Sequence, residues 1–588
     1  MIVLKKRFFF AAVIASLALT LTGCNTLTNK EVRTSQSTSI TEVTDWRPFD
    51  KDGNMIRTHR GATGEVGIVS TSKFEASKIG LDIIKKGGNA IDAAVAAGFA
   101  LGVCEPNSSG LGGGGFMTIR IAKTGETIFI DFRERAPKKA SADMWKVDKD
   151  GKVIGNQKRE GGKSAGIPGE VAGLLYALEK YGTMSREEVI RPSVNLAKNG
   201  FYVTPTLSGD MKNQFDLLEK YPETGKVFLN EGFPYEVGEK FTNPDMAKTL
   251  EIIIEKGRDG FYKGEVGKAI VNSLNKHDGL FTMEDLANYK PVIRKPIVGN
   301  YRGYEIISSP SPSSGGAIVI EILNILENFN VGEMDVNSPE YLHLFSEAYK
   351  LAYADRAKYM GDSDYIPVPM NGFVSKEYAK EVSEYIDMKK AKPSKAHDPW
   401  QYESEDTTHY SIADKDGNMV SITKSVNGLF GNSVVVDGYG FVLNNHMDDF
   451  VTGAGHPNSV IPGKAPLSSM SPTIVLKDGK PFMVLGSPGA TKIISTVSQV
   501  ISRVIDHEMG IQEAIDVPRL YDNTKDVINI ESRVSEKTTK KLEEMGHKVV
   551  RTEDWDRGMG SVQGVLYKED GTLEGGADPR RDGKALGF

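Results

Sequence analysis

The sequence predicts a mixed α/β fold, and three observations carry that expectation. Helical and strand patterns alternate along the body of the chain, helices dominate its first two thirds, and strands dominate its last third. The 62 glycines exceed the share of about 7% usual in globular proteins and point to many tight turns. A length of 588 residues allows about four units of ordinary domain size, which α/β enzymes often intertwine.

Taken in order, "SKFEASKIGLDIIKKGG" spaces Ile79, Ile83 and Ile84 along one helical face and stops at Gly87-Gly88. "NAIDAAVAAGFALGVCE" is an Ala-rich helix with Asn89 as its N-cap, and the two helices should pack closely. Residues 116–121 and 127–132 flank a turn at Gly125 and read as a hairpin. "EVAGLLYALEKYG", "MAKTLEIIIEKG" and "AIVIEILNILENF" read as amphipathic or buried helices. "MVSITKSV", "YGFVLNN", "PTIVLKDGKPFMVLG" and "GVLYKEDGTLEGG" read as strands or hairpins turning on Asp-Gly, Gly and Asn.

The N-terminus differs in kind. Lys5, Lys6 and Arg7 precede an apolar run, 8–21, too short for a permanent membrane span, so residues 1–24 are an export signal. The run ends in Leu21-Thr22-Gly23-Cys24, which resembles a bacterial lipobox; residue Cys24 would then carry lipid and anchor the protein at the outer face of a bacterial cell membrane. Cys104 is the other cysteine, so no disulfide is expected. Residues 25–60, rich in Ser and Thr over most of their length, read as a flexible tether, with the body starting near Gly61.

Several motifs are excluded. The net charge of -6, with acids and bases interspersed, offers no basic stripe for nucleic acid. "GLGGGG" at 110–115 leads into a strand and lacks the Lys and Ser/Thr of a phosphate loop, so close backbone approach explains it better. "DKDG" at 148–151 and 414–417 reads as turns and not as calcium loops, and the nine histidines fall in no sequence ligand pattern, so neither metal nor cofactor is implied.

What remains is a series of hydroxyl-rich segments late in the chain: "TTHYS", "TKSVNG", "LNNHMDDF", "PLSSMSPT" and "GSPGAT". Together with "GNAIDAAVAAGFAL", "GLGGGGFM", "DFRERAP", "GIPGEVAG", "AYADRAKYMGD" and "ADPRRDG", they resemble the γ-glutamyltransferase (glutathione hydrolase) family from about Gly61 to the C-terminus. The resemblance implies an N-terminal nucleophile hydrolase with a four-layer αββα sandwich, made as one precursor that cuts itself between Asp406 and Thr407. The large subunit would be 61–406 and the small one 407–588, joined as a heterodimer. Thr407 would be the nucleophile. A threonine hydroxyl needs a base beside it, and the α-amino group freed by self-cleavage, with a pKa of about 7.7 to 8.0, supplies one. Thr408, the next residue along a strand, should face the other way.

The resemblance further places Arg133, Ser468 and Ser469 on the α-carboxylate of a γ-glutamyl group, and Asp449 with Asn427 on its α-ammonium. It assigns the backbone N–H groups of Gly489 and Ala490 to the oxyanion, and Ser425 to a hydroxyl that bonds the nucleophile. The implied substrates are γ-glutamyl compounds such as glutathione, with water or an amino-acid or peptide acceptor taking the group. Three departures stand out. His446 occupies the place of a usual Gln or Glu near the substrate amine, so donor affinity is expected to fall below about pH 6 more than in a His446→Gln variant. Ala490 replaces a common glycine, which raises the question of a positive φ. The segment between "DDF" and "SSM" is short, so an open groove could admit longer donors, and poly-γ-glutamate competes with glutathione. A solute-binding lipoprotein and an acylase acting on β-lactam side chains are the other readings.

Overall fold

A computed structural model describes residues 46–393, 406–522 and 526–588, and for Asp406 the backbone alone. The expected export signal, Cys24 and most of the expected tether lie outside the described residues. The end of that tether is corrected: from Arg47 onward the chain belongs to the same compact unit as the body. Arg60 is buried there and donates to the carbonyls of Arg581 and Gly583, and Arg57 donates to that of Pro579. Buried guanidinium donors with backbone acceptors hold a segment whose composition alone reads as polar linker.

Two seven-stranded antiparallel sheets form the centre. The first runs, edge to edge, Lys584–Gly587, Gly67–Thr71, Asp406–Asp414, Met419–Asn427, Gly114–Arg120, Thr127–Phe132 and Val292–Arg294. The second runs Ala62–Gly64, Leu573–Ala577, Gln563–Tyr567, Lys480–Gly486, Thr473–Lys477, Tyr304–Ser308 and Ile297–Tyr301. Period-two alternation sorts their faces. Val69, Ile412 and Val420 pack with Val95 and Phe99 of a covering helix, whereas their neighbours Ile68, Ala413 and Met419 pack with Ile307, Ile474 and Val484 of the opposite sheet. Ile306, Val475 and Leu485 turn outward to Ile318, Ile322 and Val497 of the second helical layer. The result is helix, sheet, sheet, helix, the expected four layers.

Hydroxyls bind the two sheets together. Ser421 Oγ donates to the Leu485 carbonyl at 2.9 Å, Ser411 Oγ to that of Gln563 at 3.0 Å, and Thr118 Oγ1 to that of Pro472 at 2.8 Å. Small side chains that donate across the gap let the sheets approach without stranding buried polar groups.

The helix signals act locally. Phe74–Lys85 closes with Gly87 at φ 92°, its N–H on the Ile84 carbonyl and that of Gly88 on the Ile83 carbonyl, the pairing that ends a helix on a left-handed residue. Ala90–Cys104 opens with Asn89 and Asp92 in a capping box and packs along the first helix. The glycine run is a place of close backbone approach, for a Cβ on Gly113 would lie 2.1 Å from the Ser425 carbonyl oxygen. One strand expectation is corrected: "YGFVLNN" makes only isolated bridges, Val442 with Val435 and Leu443 with Gly112, because Asn444 spends its amide on the carbonyls of Gly112 and Gly166. Two helices that the sequence patterns above do not mark, Pro339–Tyr359 and Lys492–Asp506, cover the second sheet.

Candidate active site

Thr407 sits at the start of a central strand, where the ladder is irregular. Asp406 pairs with Asn427 and Thr408 with Lys424, so the partner strand carries one residue more than this one between the two pairs. Such a bulge re-aims side chains. Thr407 Oγ1 lies 3.5 Å from Ser425 Oγ, whereas Thr408 is fully buried on the opposite face, its hydroxyl 2.7 Å from that of Ser72. The Ser425 hydroxyl also accepts the Asn427 N–H at 2.7 Å, and Asn427, at φ 77°, donates its side-chain amide to the Asn445 carbonyl.

Beside Thr407 is a narrow cavity of about 30 Å³, lined by Arg133, Asn427, His446, Asp449, Ser468, Ser469 and Ala490 among others. That volume holds about one water. Arg133 Nη2 and Asp449 Oδ2 are 2.5 Å apart and close it from one side. Ser469 Oγ accepts from Arg356 at 2.7 Å, and Ser468 Oγ accepts the Met470 N–H at 3.1 Å. Gly489 and Ala490 form the loop that enters Lys492–Asp506, so the positive end of that helix is at the cavity. Ala490 stands at φ 51°, a left-handed conformation that answers the question its replacement of glycine raised. A larger cavity, 650 Å³, lies near Arg135, Tyr289 and Asp364 and is lined by none of these residues. Chemistry, not volume, picks out the narrow one.

Behind Arg133 is Glu134, fully buried, with Oε1 2.9 Å from His446 Nδ1. Burial pushes the Glu134 carboxyl up to about 8 against the pull of Arg133, and burial together with Arg133 holds the His446 imidazole well below its ordinary value. The pair is therefore a neutral acid beside a neutral imidazole. That direction runs against the expectation that His446 titrates near pH 6.

A family model described as Gamma-glutamyltranspeptidase matches residues 76–588. The chain belongs to the gamma-glutamyltranspeptidase family. It is 44% identical over 529 residues to the glutathione hydrolase proenzyme of Escherichia coli (strain K12), covering 87% of this chain and 90% of that one. It is 40% identical to the acylase ACY 1 proenzyme of Pseudomonas sp. (strain SE83), over 91% and 96% of the two chains. Among solved structures, the cephalosporin acylase of Bacillus halodurans superposes with a TM-score of 0.83 at 29% identity, covering 92% of this chain and 99% of that one. The gamma-glutamyltranspeptidase of Helicobacter pylori superposes at 0.54 with 42% identity, covering 56% and 94%.

This member of the family carries polar residues around the site that sequence reasoning did not single out. Glu134 and Arg356 lie inside the quoted segments "DFRERAP" and "AYADRAKYMGD", where only a three-dimensional neighbour gives them a part. Arg581 donates to the Thr407 carbonyl at 2.7 Å from 174 positions away. Far from the cavity, His343, Glu347 and His547 bring three potential metal ligands together, although no sequence pattern joins them. Lys350 already sits 2.5 Å from Glu347, and His343 Nε2 donates to the Asp387 carbonyl while its Nδ1 meets His547 Nε2 at 2.6 Å. Glu347 is thus already paired with a lysine and the two imidazoles with each other. Among the described residues no helix is long and apolar enough to cross a membrane.

Proposed function

We propose that this protein is a self-processing γ-glutamyltransferase and glutathione hydrolase with Thr407 as nucleophile. The observation that carries the reading is the convergence of one threonine hydroxyl, an Arg–Asp pair and two serines on one narrow cavity. In the precursor, Thr407 Oγ1 attacks the Asp406 carbonyl carbon, the peptide nitrogen leaves as the α-amine of Thr407, and water hydrolyses the resulting ester to free the Asp406 carboxyl. The same oxygen then attacks the γ-carbonyl of a donor, passing its proton to the α-amine, which delivers it to the departing amine. Hydroxyl donation to Ser425 orients Thr407, and the N–H groups of Gly489 and Ala490 at the helix N-terminus stabilise the oxyanion. Water or an amino-acid or peptide amine releases the γ-glutamyl group.

Donor recognition divides the Arg133–Asp449 pair. Arg133, with Ser468 and Ser469, takes the α-carboxylate, and Asp449, with Asn427, takes the α-ammonium. The donor's two charges replace the ion pair between the two side chains, so neither charge stands alone before the donor arrives. An acylase relative and an acylase structure share the fold, but an uncharged acyl group would leave this pair unused. At the N-terminus, export with lipid on Cys24 would hold the enzyme at the outer membrane face; Cys24→Ala should release it into the soluble fraction. Mass spectrometry of the wild type and of Thr407→Ala, followed by assay on γ-glutamyl-anilide and glutathione, tests the central reading. Two pieces with Thr407 as a new N-terminus, and one inert chain for the variant, are expected; an active unbroken wild type overturns it.

A further inference from the structure

Four side chains, linked by hydrogen bonds and one ion pair, surround the peptide unit between Thr407 and Thr408. Arg581 Nη1 donates to the Thr407 carbonyl at 2.7 Å and lies 3.5 Å from Glu105 Oε1. The other oxygen of Glu105 accepts from Ser72 Oγ at 2.5 Å, and Ser72 Oγ is 2.7 Å from Thr408 Oγ1. Ser72 spends its one proton on Glu105, so Thr408 is the donor in the last bond. All four side chains are buried. They come from distant places: the end of the strand Gly67–Thr71, the C-cap of Ala90–Cys104, the nucleophile strand, and the turn before Lys584–Gly587. Buried charges at such a junction are costly unless they are paired; here Arg581 and Glu105 face each other, Arg581 reaching Thr407 directly and Glu105 reaching Thr408 through Ser72.

We infer that Arg581 and Glu105 are positioning residues that set both the direction of the Thr407 side chain and the basicity of its α-amine. The inference rests on the function proposed above. Holding the Thr407 carbonyl through Arg581 and the Thr408 side chain through Ser72 narrows the directions open to the Thr407 Cα–Cβ bond. The guanidinium is one hydrogen bond from the Thr407 carbonyl, and the α-nitrogen belongs to the same residue, so the cation lies within about 6 Å of the new amine. A cation there disfavours the ammonium form and keeps the amine ready to accept a proton, while the Glu105 carboxylate acts oppositely. The other charged or titratable groups around this position are Arg133, Asp449 and the Glu134–His446 pair across the cavity, the buried Lys424–Glu170 pair on the helix side, Lys73 with Asp582 next to Ser72, and Lys492 beyond Ala490. These stay unchanged in the variants that test the idea.

The pH dependence of kcat/KM for γ-glutamyl-anilide is measured in wild type, Arg581→Gln, Arg581→Lys and Glu105→Gln, with self-cleavage followed on denaturing gels. Loss of the cation should move the acid limb up by about one pH unit, and loss of the anion should move it down by a similar amount. Arg581→Lys, which keeps the charge, should restore the limb while kcat stays below wild type. Limbs that move the same way in both glutamine variants, or that stay in place, overturn the inference. Should Arg581→Gln remain uncut, the downward shift in Glu105→Gln and the restored cutting in Arg581→Lys decide the matter alone, and the absence of either overturns it. A wild type that is never cut, or is inert toward the anilide, instead removes the function on which the inference rests.

Discussion

At the scale of single residues, two positions near the cavity carry measurable consequences. Ala490 holds a left-handed conformation at φ 51° that glycine adopts freely, and the cost to an alanine is about 1 kcal/mol. Ala490→Gly should therefore raise stability by up to that amount, visible as a higher denaturant midpoint with an unchanged slope. Glu134 supplies the pH dependence. Its carboxyl is raised to about 8 in the folded state, above the ordinary 4.5, so the native state holds this proton more tightly than the unfolded chain does. The stabilisation is complete below pH 4.5 and is lost as pH rises through 8. Relative to Glu134→Gln, the wild type should lose on the order of 4 kcal/mol between pH 5 and pH 9. Urea titrations of the two proteins at those pH values check the slope, and parallel curves would refute it. His446, held low when folded, acts in the opposite sense, because the unfolded chain takes up its proton below the ordinary 6.5; both proteins carry this histidine, so the comparison isolates Glu134.

At the scale of elements, the strand Asp406–Asp414 sends two adjacent threonines to opposite faces, at the point where its ladder with Met419–Asn427 is irregular. Thr407→Val should leave one uncut chain. Thr408→Val should still be cut, because the hydroxyl it loses donates only to Ser72, and should cost about 1–2 kcal/mol of stability. Gels and melting curves on the pair distinguish the two faces. Elements of this kind were legible in the sequence where the signal was local: Asn89 with Asp92, Gly87-Gly88, and the Asp-Gly turn at 416–417 all act within a few residues. The segment 439–445 misleads because its alternation is real but its backbone is held by Asn444 and not by a neighbouring strand. Lys492–Asp506 hides for the opposite reason. Its Ile and Val residues favour strands by type, and only their spacing, with Ile493, Val497, Val500 and Val504 on one buried face, marks a helix. The candidate site was legible through motif resemblance, whereas Glu134, Arg356 and Arg581 gain their parts from contacts between segments that no pattern in the chain connects.

At the scale of the whole molecule, the proposed cut falls in the middle of the architecture and not between domains. Residues 407–588 would supply nearly all of the two strands, Asp406–Asp414 and Met419–Asn427, that lie between Gly67–Thr71 and Gly114–Arg120 in the first sheet. They would also supply four consecutive strands of the second sheet, from Leu573–Ala577 to Thr473–Lys477, flanked by Ala62–Gly64 and Tyr304–Ser308 of the larger piece. Separating the pieces would break ladders on both sides of each insertion and expose the apolar layer between the sheets, where Ile68 and Ile307 pack with Ala413, Ile474 and Val565. Burial of that extent behaves as a domain core and not as a transient interface. After self-cleavage the two pieces should thus migrate as one species in gel filtration at nanomolar concentration and separate only across the unfolding transition. The denaturant midpoint for separation should coincide with that for loss of activity, since the nucleophile strand is part of the shared ladder. Pieces that part on simple dilution, with the larger one still folded, would show that the sheets do not depend on their inserted strands.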